Sequence, residues 1–167
     1  MSRATTPPSR TRQRGSAIIE FPVLAIPFLL SLFAVLELGY SQFLHTMLDI
    51  GVDEAARQIR TGQIQAADDA LGEFQTILCE RVGDLMPCAE LIIDVGNFTS
   101  FGGVNAFAAP DINATSFTPG GAGDIVVVRV VYPWEFNTPL MADAMAGWSG
   151  MLSSTAVFRN EPFEGPI

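Results

Sequence analysis

One histidine, two cysteines, eighteen carboxylates and nine basic residues are the material from which this 167-residue chain would build a reactive site. All nine basic residues are arginine. His45 is the single histidine and lies far along the chain from both cysteines, which makes a zinc site poor. No serine or cysteine stands in a nucleophile-elbow pattern. Asp68 and Asp69 are adjacent, about 100° apart on a helix, which suits a solvated face or an N-cap better than a carboxylate dyad. Gly102-Gly103 and Gly120-Gly121-Ala122-Gly123 lack the following helix and lysine that a phosphate cradle uses. The expectation is a protein that is not an enzyme, with no catalytic residue, no metal and no cofactor. Cys79 and Cys88 have eight residues between them. In an oxidising compartment they should pair as a structural disulfide, and in a reducing one they would remain two buried thiols.

The remaining candidate is a carboxylate in an unfavourable place. In Arg14-Gly15-Ser16-Ala17-Ile18-Ile19-Glu20-Phe21 an acid enters an apolar stretch, and the next formal charge is Glu37. A charged side chain at the centre of a bilayer costs ~2.5–3.5 kcal/mol on insertion scales, and less near the interface. The simple reading is that Glu20 reaches back to the headgroup layer. The functional reading starts from a cut after Gly15. Such a cut leaves an α-amine on Ser16, one helical turn from Glu20 and on the same face. Glu20 would then pair with that amine in its own chain or in a neighbouring one, replacing lost hydration.

These residues must be positioned by the elements around them, and the charge distribution dictates the first. Residues 1–15 carry Arg3, Arg10, Arg12 and Arg14 and no acid, whereas the rest of the chain sets five arginines against eighteen carboxylates. The formal net charge of −9 and a pI near 4.4 argue against a nucleic-acid partner. A mean hydropathy of +0.32 with 16% charged residues points to a membrane segment. Residues 16–40 would rise about 37 Å as a helix, enough for a hydrocarbon core of about 30 Å. Arginines on one side place the arm 1–15 in the cytoplasm as a basic leader, 16–40 in the membrane, and 41–167 outside as an extracytoplasmic domain. A cleaved signal peptide is the alternative, but the apolar run passes into Glu37-Leu38-Gly39-Tyr40 without a small-x-small cleavage site. Pro22 and Pro27 each remove one helical hydrogen bond, and membrane helices tolerate this when neighbours satisfy the freed carbonyl.

Leu44, Leu48, Val52, Ala55 and Ile59 continue at helical spacing, so the rod extends to Thr61 and stops at Gly62. A second helix is expected from about 65 to 82, with Leu71, Phe74, Ile77 and Leu78 as its apolar stripe. Strands are expected at 90–96, at 124–132 with Pro133 ending it, and at 151–159, with a short helix at 138–146. Residues 97–123 read as a loop, longer than a compact domain usually leaves without structure. The fold class is therefore α+β: a long N-terminal transmembrane and amphipathic helix, a second helix, and a small antiparallel sheet of about three strands.

The residues around Gly15 carry a resemblance. A basic leader ending in glycine, with glutamate five residues on and an apolar helix behind it, resembles the processing site of type IV pilins. Glu20-Phe21 is similar to the Glu-Tyr pair of small Flp-type pilins. The run from Arg14 to Phe21, the proline-containing apolar stretch and Glu37-x-Gly39 resemble the N-terminal segment of TadE-like proteins, minor pseudopilins of the tight-adherence (Tad) pilus. Residues 155–163 are similar to the tail of such proteins. The resemblance implies a pilin-like fold on a single-pass anchor in the bacterial inner membrane. It also implies a prepilin peptidase site comprising Gly15, Ser16, Glu20 and Phe21. The implied partners are that peptidase, other Tad pseudopilins, the Flp pilin and the inner-membrane assembly platform. The competing reading is a periplasmic binding module, tethered or released from a signal peptide, that uses Phe98, Phe101, Phe107 and Phe117 as an exposed surface.

Overall fold

The apolar stripe of the N-terminal rod sets the longest element. In the computed structural model, which describes residues 16–105, 107, 109, 111, 114–144 and 150–163, helix α1 runs unbroken over Ser16–Arg60 and through both prolines. Leader residues 1–15, Gly15 among them, lie outside the described residues. Leu44, Leu48, Val52, Ala55 and Ile59 are all buried, as their spacing requires. Gly62 stops the helix with φ +82°, a left-handed conformation open to glycine.

Helix α2 spans Ala70–Val82, starting five residues later than the periodicity predicts. The start is set by a cap: Asp69 accepts a hydrogen bond from the Gly72 amide at 3.0 Å, and residues 61–69 are occupied by turns instead. Phe74, Leu78 and Val82 form its buried face against α1, while Leu71 and Ile77 are partly covered. Two short 3₁₀ turns, Gly83–Leu85 and Cys88–Glu90, lead into the sheet.

The sheet has four strands and is mixed, where three antiparallel ones are expected. β1 is Ile92–Phe98, the short helix α3 is Phe101–Val104, β2 is Ser116–Phe117, and β3 is Ile125–Trp134. The helix α4 covers Pro139–Ala144 and β4 covers Gly150–Arg159. The spatial order is β2-β1-β3-β4, with β1–β3 and β3–β4 antiparallel and β2 parallel to β1. The extra strand and α3 both come from the long 97–123 connection. β2 has only two residues, too short for alternation to reveal it.

Strand β3 also runs past Pro133, the residue expected to end it. β1 stops pairing at Ile92, opposite Val131, so at Pro133 only β4 is a neighbour. The strand is locally an edge there, and an edge tolerates the missing N–H. Ile93 and Val95 of β1 and Val126, Val128 and Val130 of β3 face α1 and α2 in one core with Trp134. Val127 and Val131 on the opposite face are buried as well, which is why β3 reads as a run β-branched on both faces, broken only at Arg129 before Tyr132. On that face the Arg129 guanidinium pairs with Asp94 and sits 4.4 Å from the Phe107 ring centre. β4 keeps the expected alternation, with Ser153, Thr155 and Val157 outward and Leu152, Ala156 and Phe158 against the core.

Of the four phenylalanines offered as an exposed binding surface, three are packed. Phe98 and Phe107 meet edge-on at 5.8 Å, and Phe117 lies 5.4 Å from Phe74. Phe101 alone among them is largely exposed.

Candidate membrane-anchor and assembly site

Helix α1 changes character once along its length. From Ile19 to Leu36 no residue is buried, and Phe21 is 73% exposed although fully apolar. This part of the helix is long and apolar enough to cross a membrane. From Leu44 onward, every third or fourth residue enters the domain core. Glu37, only 6% exposed, is the first buried residue along the helix from Ile19 onward.

Glu37 is where the domain grips its own anchor. One carboxylate oxygen accepts the Asn137 backbone N–H and the other accepts the Thr138 hydroxyl at 2.7 Å, from a segment one hundred residues away in sequence. Thr138 stands immediately before α4, and its carbonyl receives the Ala142 amide at 3.0 Å. The latch has two donors for two carboxylate oxygens, so a buried charge is solvated by the protein in place of water. It also marks where the uncovered apolar part of the helix ends. Residues 16–36 rise about 31 Å, matching a hydrocarbon core of about 30 Å. The domain's grip thus reaches four residues into the 16–40 segment expected to form the anchor. Sequence reasoning missed the latch, though a signal was present: a lone carboxylate closing an uncharged run needs a partner.

Of the residues expected to form a processing site, Gly15 lies outside the described part, Ser16 is the first residue of α1, and Glu20 and Phe21 follow in its next turn, both exposed. The structure therefore sets Glu20 four residues from the first residue of the helix, on the surface that the apolar half presents. Residues 15–57 match the family model of the TadE-like proteins. The match begins at the glycine of the expected processing site and ends within the last turn of α1. The TadE-like segment is thus one helix carrying two jobs, an apolar half without intramolecular cover and a half that is the spine of the domain. Neither the curated proteins nor the solved structures contain a significant match to the chain.

The tail that resembles TadE-like proteins lies beyond the matched segment and ties the far end of the helix to the sheet. Asn160 is buried, and its side-chain amide donates to the Pro119 and Gly121 carbonyls at 3.0 and 2.9 Å. The next amide, of Glu161, donates to the Arg60 carbonyl at 2.9 Å, and the Glu161 carboxylate pairs with the Arg60 guanidinium at 3.3 Å. Phe163 then closes over Gly62. α1 is held at both ends of its core half, by Glu37 below and by residues 160–163 above.

Cys79 and Cys88 are joined as a disulfide, linking the last turn of α2 to the turn before β1. Closing so short a loop contributes about 2–3 kcal/mol in the chain-entropy model. Reduction, or a C79A/C88A double substitution, is expected to lower the denaturant midpoint of the full chain by an amount corresponding to that range. An unchanged midpoint would show that the bond is dispensable. Among the described residues no group of three or more histidine, cysteine, aspartate or glutamate side chains converges as a metal site would. His45 has a partner that the sequence did not suggest, Asp49 one turn on, at 3.1 Å.

Proposed function

We propose that this protein is a membrane-anchored minor pseudopilin that contributes to assembly of a Tad (Flp) type IV pilus, and so to tight adherence. The observation that carries the reading is the coincidence of the TadE-like match with a helix whose outer half is apolar and uncovered and whose inner half is the core of a small α+β domain. A helix of this kind buries its apolar face only in lipid or against like helices, which is the exchange a pilin-type subunit makes. The basic leader supports a cytoplasmic N-terminus, a single pass of the inner membrane and a periplasmic domain. The role is non-catalytic: Glu20 supplies register, because a subunit out of register would leave its charge unpaired among apolar helices. Prepilin peptidase, other Tad pseudopilins, the Flp pilin and the inner-membrane platform are the partners this role requires.

Processing and assembly test the reading separately. Mass spectrometry of the purified native chain is expected to find a mature N-terminus at Ser16, and substitution of Gly15 is expected to leave the leader attached. A mature N-terminus unaffected by that substitution removes the peptidase from the account. An E20A chain is expected to insert normally and to lower pilus assembly by more than about a hundredfold, the least that loss of a buried ion pair, at ~3–5 kcal/mol, would produce. Normal piliation in E20A removes the register role.

A further inference from the structure

A cavity opens beside the latch, and neither the anchor nor the disulfide uses it. Its volume is about 450 Å³, and its walls include Tyr40 and Leu44 of α1, Tyr132 and Trp134 of β3, and Glu90 and Glu135 from the turns next to β1 and β3. That volume is in the range of small-ligand sites. Its height follows from the helix it abuts. Tyr40 and Leu44 stand three and seven residues past Glu37, about 4–11 Å beyond the end of the uncovered apolar part. The headgroup layer is roughly 5–8 Å thick on each side of the hydrocarbon core.

The lining selects for one kind of group. Two exposed carboxylates and three aromatic rings meet there, and no basic residue is among the described walls. Carboxylates form charge-assisted hydrogen bonds with an ammonium, and ring faces attract it through their quadrupole. The same carboxylates repel an anionic headgroup. Burial, and after it the negative charge of Glu90, hold the Tyr132 phenol above its ordinary range.

We propose that this cavity holds the ammonium of a zwitterionic phospholipid headgroup, bound by the carboxylates of Glu90 and Glu135 and by the rings of Tyr40 and Tyr132. The proposal rests on the membrane-anchor reading, because only an anchored chain presents the cavity at headgroup height. It gives the protein a lipid contact that orients the domain as well as a helix that tethers it.

The test uses the full chain in bilayer discs made of equal parts phosphatidylethanolamine and phosphatidylglycerol, with retained lipids counted by native mass spectrometry. The native chain is expected to retain the ethanolamine lipid about tenfold over the glycerol lipid, the scale of one charge-assisted contact. E90Q/E135Q is expected to bring that ratio to about one. E73Q/E80Q, which removes the same charge from exposed positions of α2, is expected to leave it unchanged. Equal retention by the native chain, a preference that survives E90Q/E135Q, or an equal loss in E73Q/E80Q overturns the proposal. Displacement of the lipid by free ethanolamine in small excess assigns the site to a soluble amine and overturns it too. Carbonate extraction of the same chains reads the anchor independently. Native and variant chains are expected to stay in the membrane, and release of the native chain overturns the anchor reading itself.

Discussion

An E37A chain is expected to reach the membrane as the native chain does and to lose the join between anchor and domain. The substitution leaves the Asn137 amide and the Thr138 hydroxyl without the carboxylate that now accepts from both. Hydrogen bonds to a charged group contribute ~1.5–3 kcal/mol each, offset in part because a buried carboxylate no longer has to be desolvated. A net local loss of about 2–3 kcal/mol follows, equivalent to roughly 30- to 150-fold faster exchange of the Asn137 amide with deuterium. The core half of α1 is held by other contacts, so amides near Leu48 and Val52 should keep their protection. E37Q sharpens the test. Its amide oxygen can accept the Asn137 N–H while its NH₂ donates to the Thr138 hydroxyl oxygen, so E37Q keeps both contacts, loses only the charge, and should fall between the native chain and E37A. Unchanged exchange at Asn137 in both variants would mean that the latch does not hold the domain to its anchor.

The other large effect is expected at the far end of the helix. A Cβ added to Gly62 would lie 2.5 Å from Cγ of Phe163, and the residue sits at φ +82°. G62A therefore combines two penalties, about 1–2 kcal/mol for a left-handed alanine and ~1–3 kcal/mol for forcing the phenylalanine out of its seat. A loss of about 2–5 kcal/mol in the unfolding free energy of the full chain is expected from denaturant titration. The two penalties can be separated. In an F163A background the steric part disappears and G62A should cost only the conformational part, about 1–2 kcal/mol. Equal costs in both backgrounds would show that Phe163 does not close over Gly62.

Much of this architecture is legible along the chain because it repeats. Leu44, Leu48, Val52, Ala55 and Ile59 recur at the helical period, so the inner half of α1 and its buried face follow directly. Ile125 to Tyr132 is β-branched enough to be read as a strand, and 151–159 alternates. What failed was short or non-periodic. β2 has two residues, and α2 begins where a single aspartate cap sits, not where the apolar pattern starts. Pro133 was expected to end a strand because its neighbours in space are not written in its neighbours in sequence.

The candidate site divides in the same way. Glu20, Phe21 and the glycine before Ser16 form a contiguous string, and the TadE-like match falls on that string and the helix behind it. Cys79 and Cys88 are close enough in sequence for their bond to be expected from a short loop in an oxidising compartment. The latch at Glu37, the closure by Asn160 and Phe163, and the cavity walled by Tyr40, Glu90 and Trp134 join residues separated by up to a hundred positions. The linear order of residues determined the elements whose pattern is local: an apolar helix behind a basic leader, the inner amphipathic face and the β-branched strands. Only the tertiary structure decided where the helix passes from uncovered to buried and what the last carboxylate of the apolar run would bind. Hydrogen-bond partners for a buried charge come from whichever backbone the fold brings within 3 Å, and no period in the sequence encodes that approach.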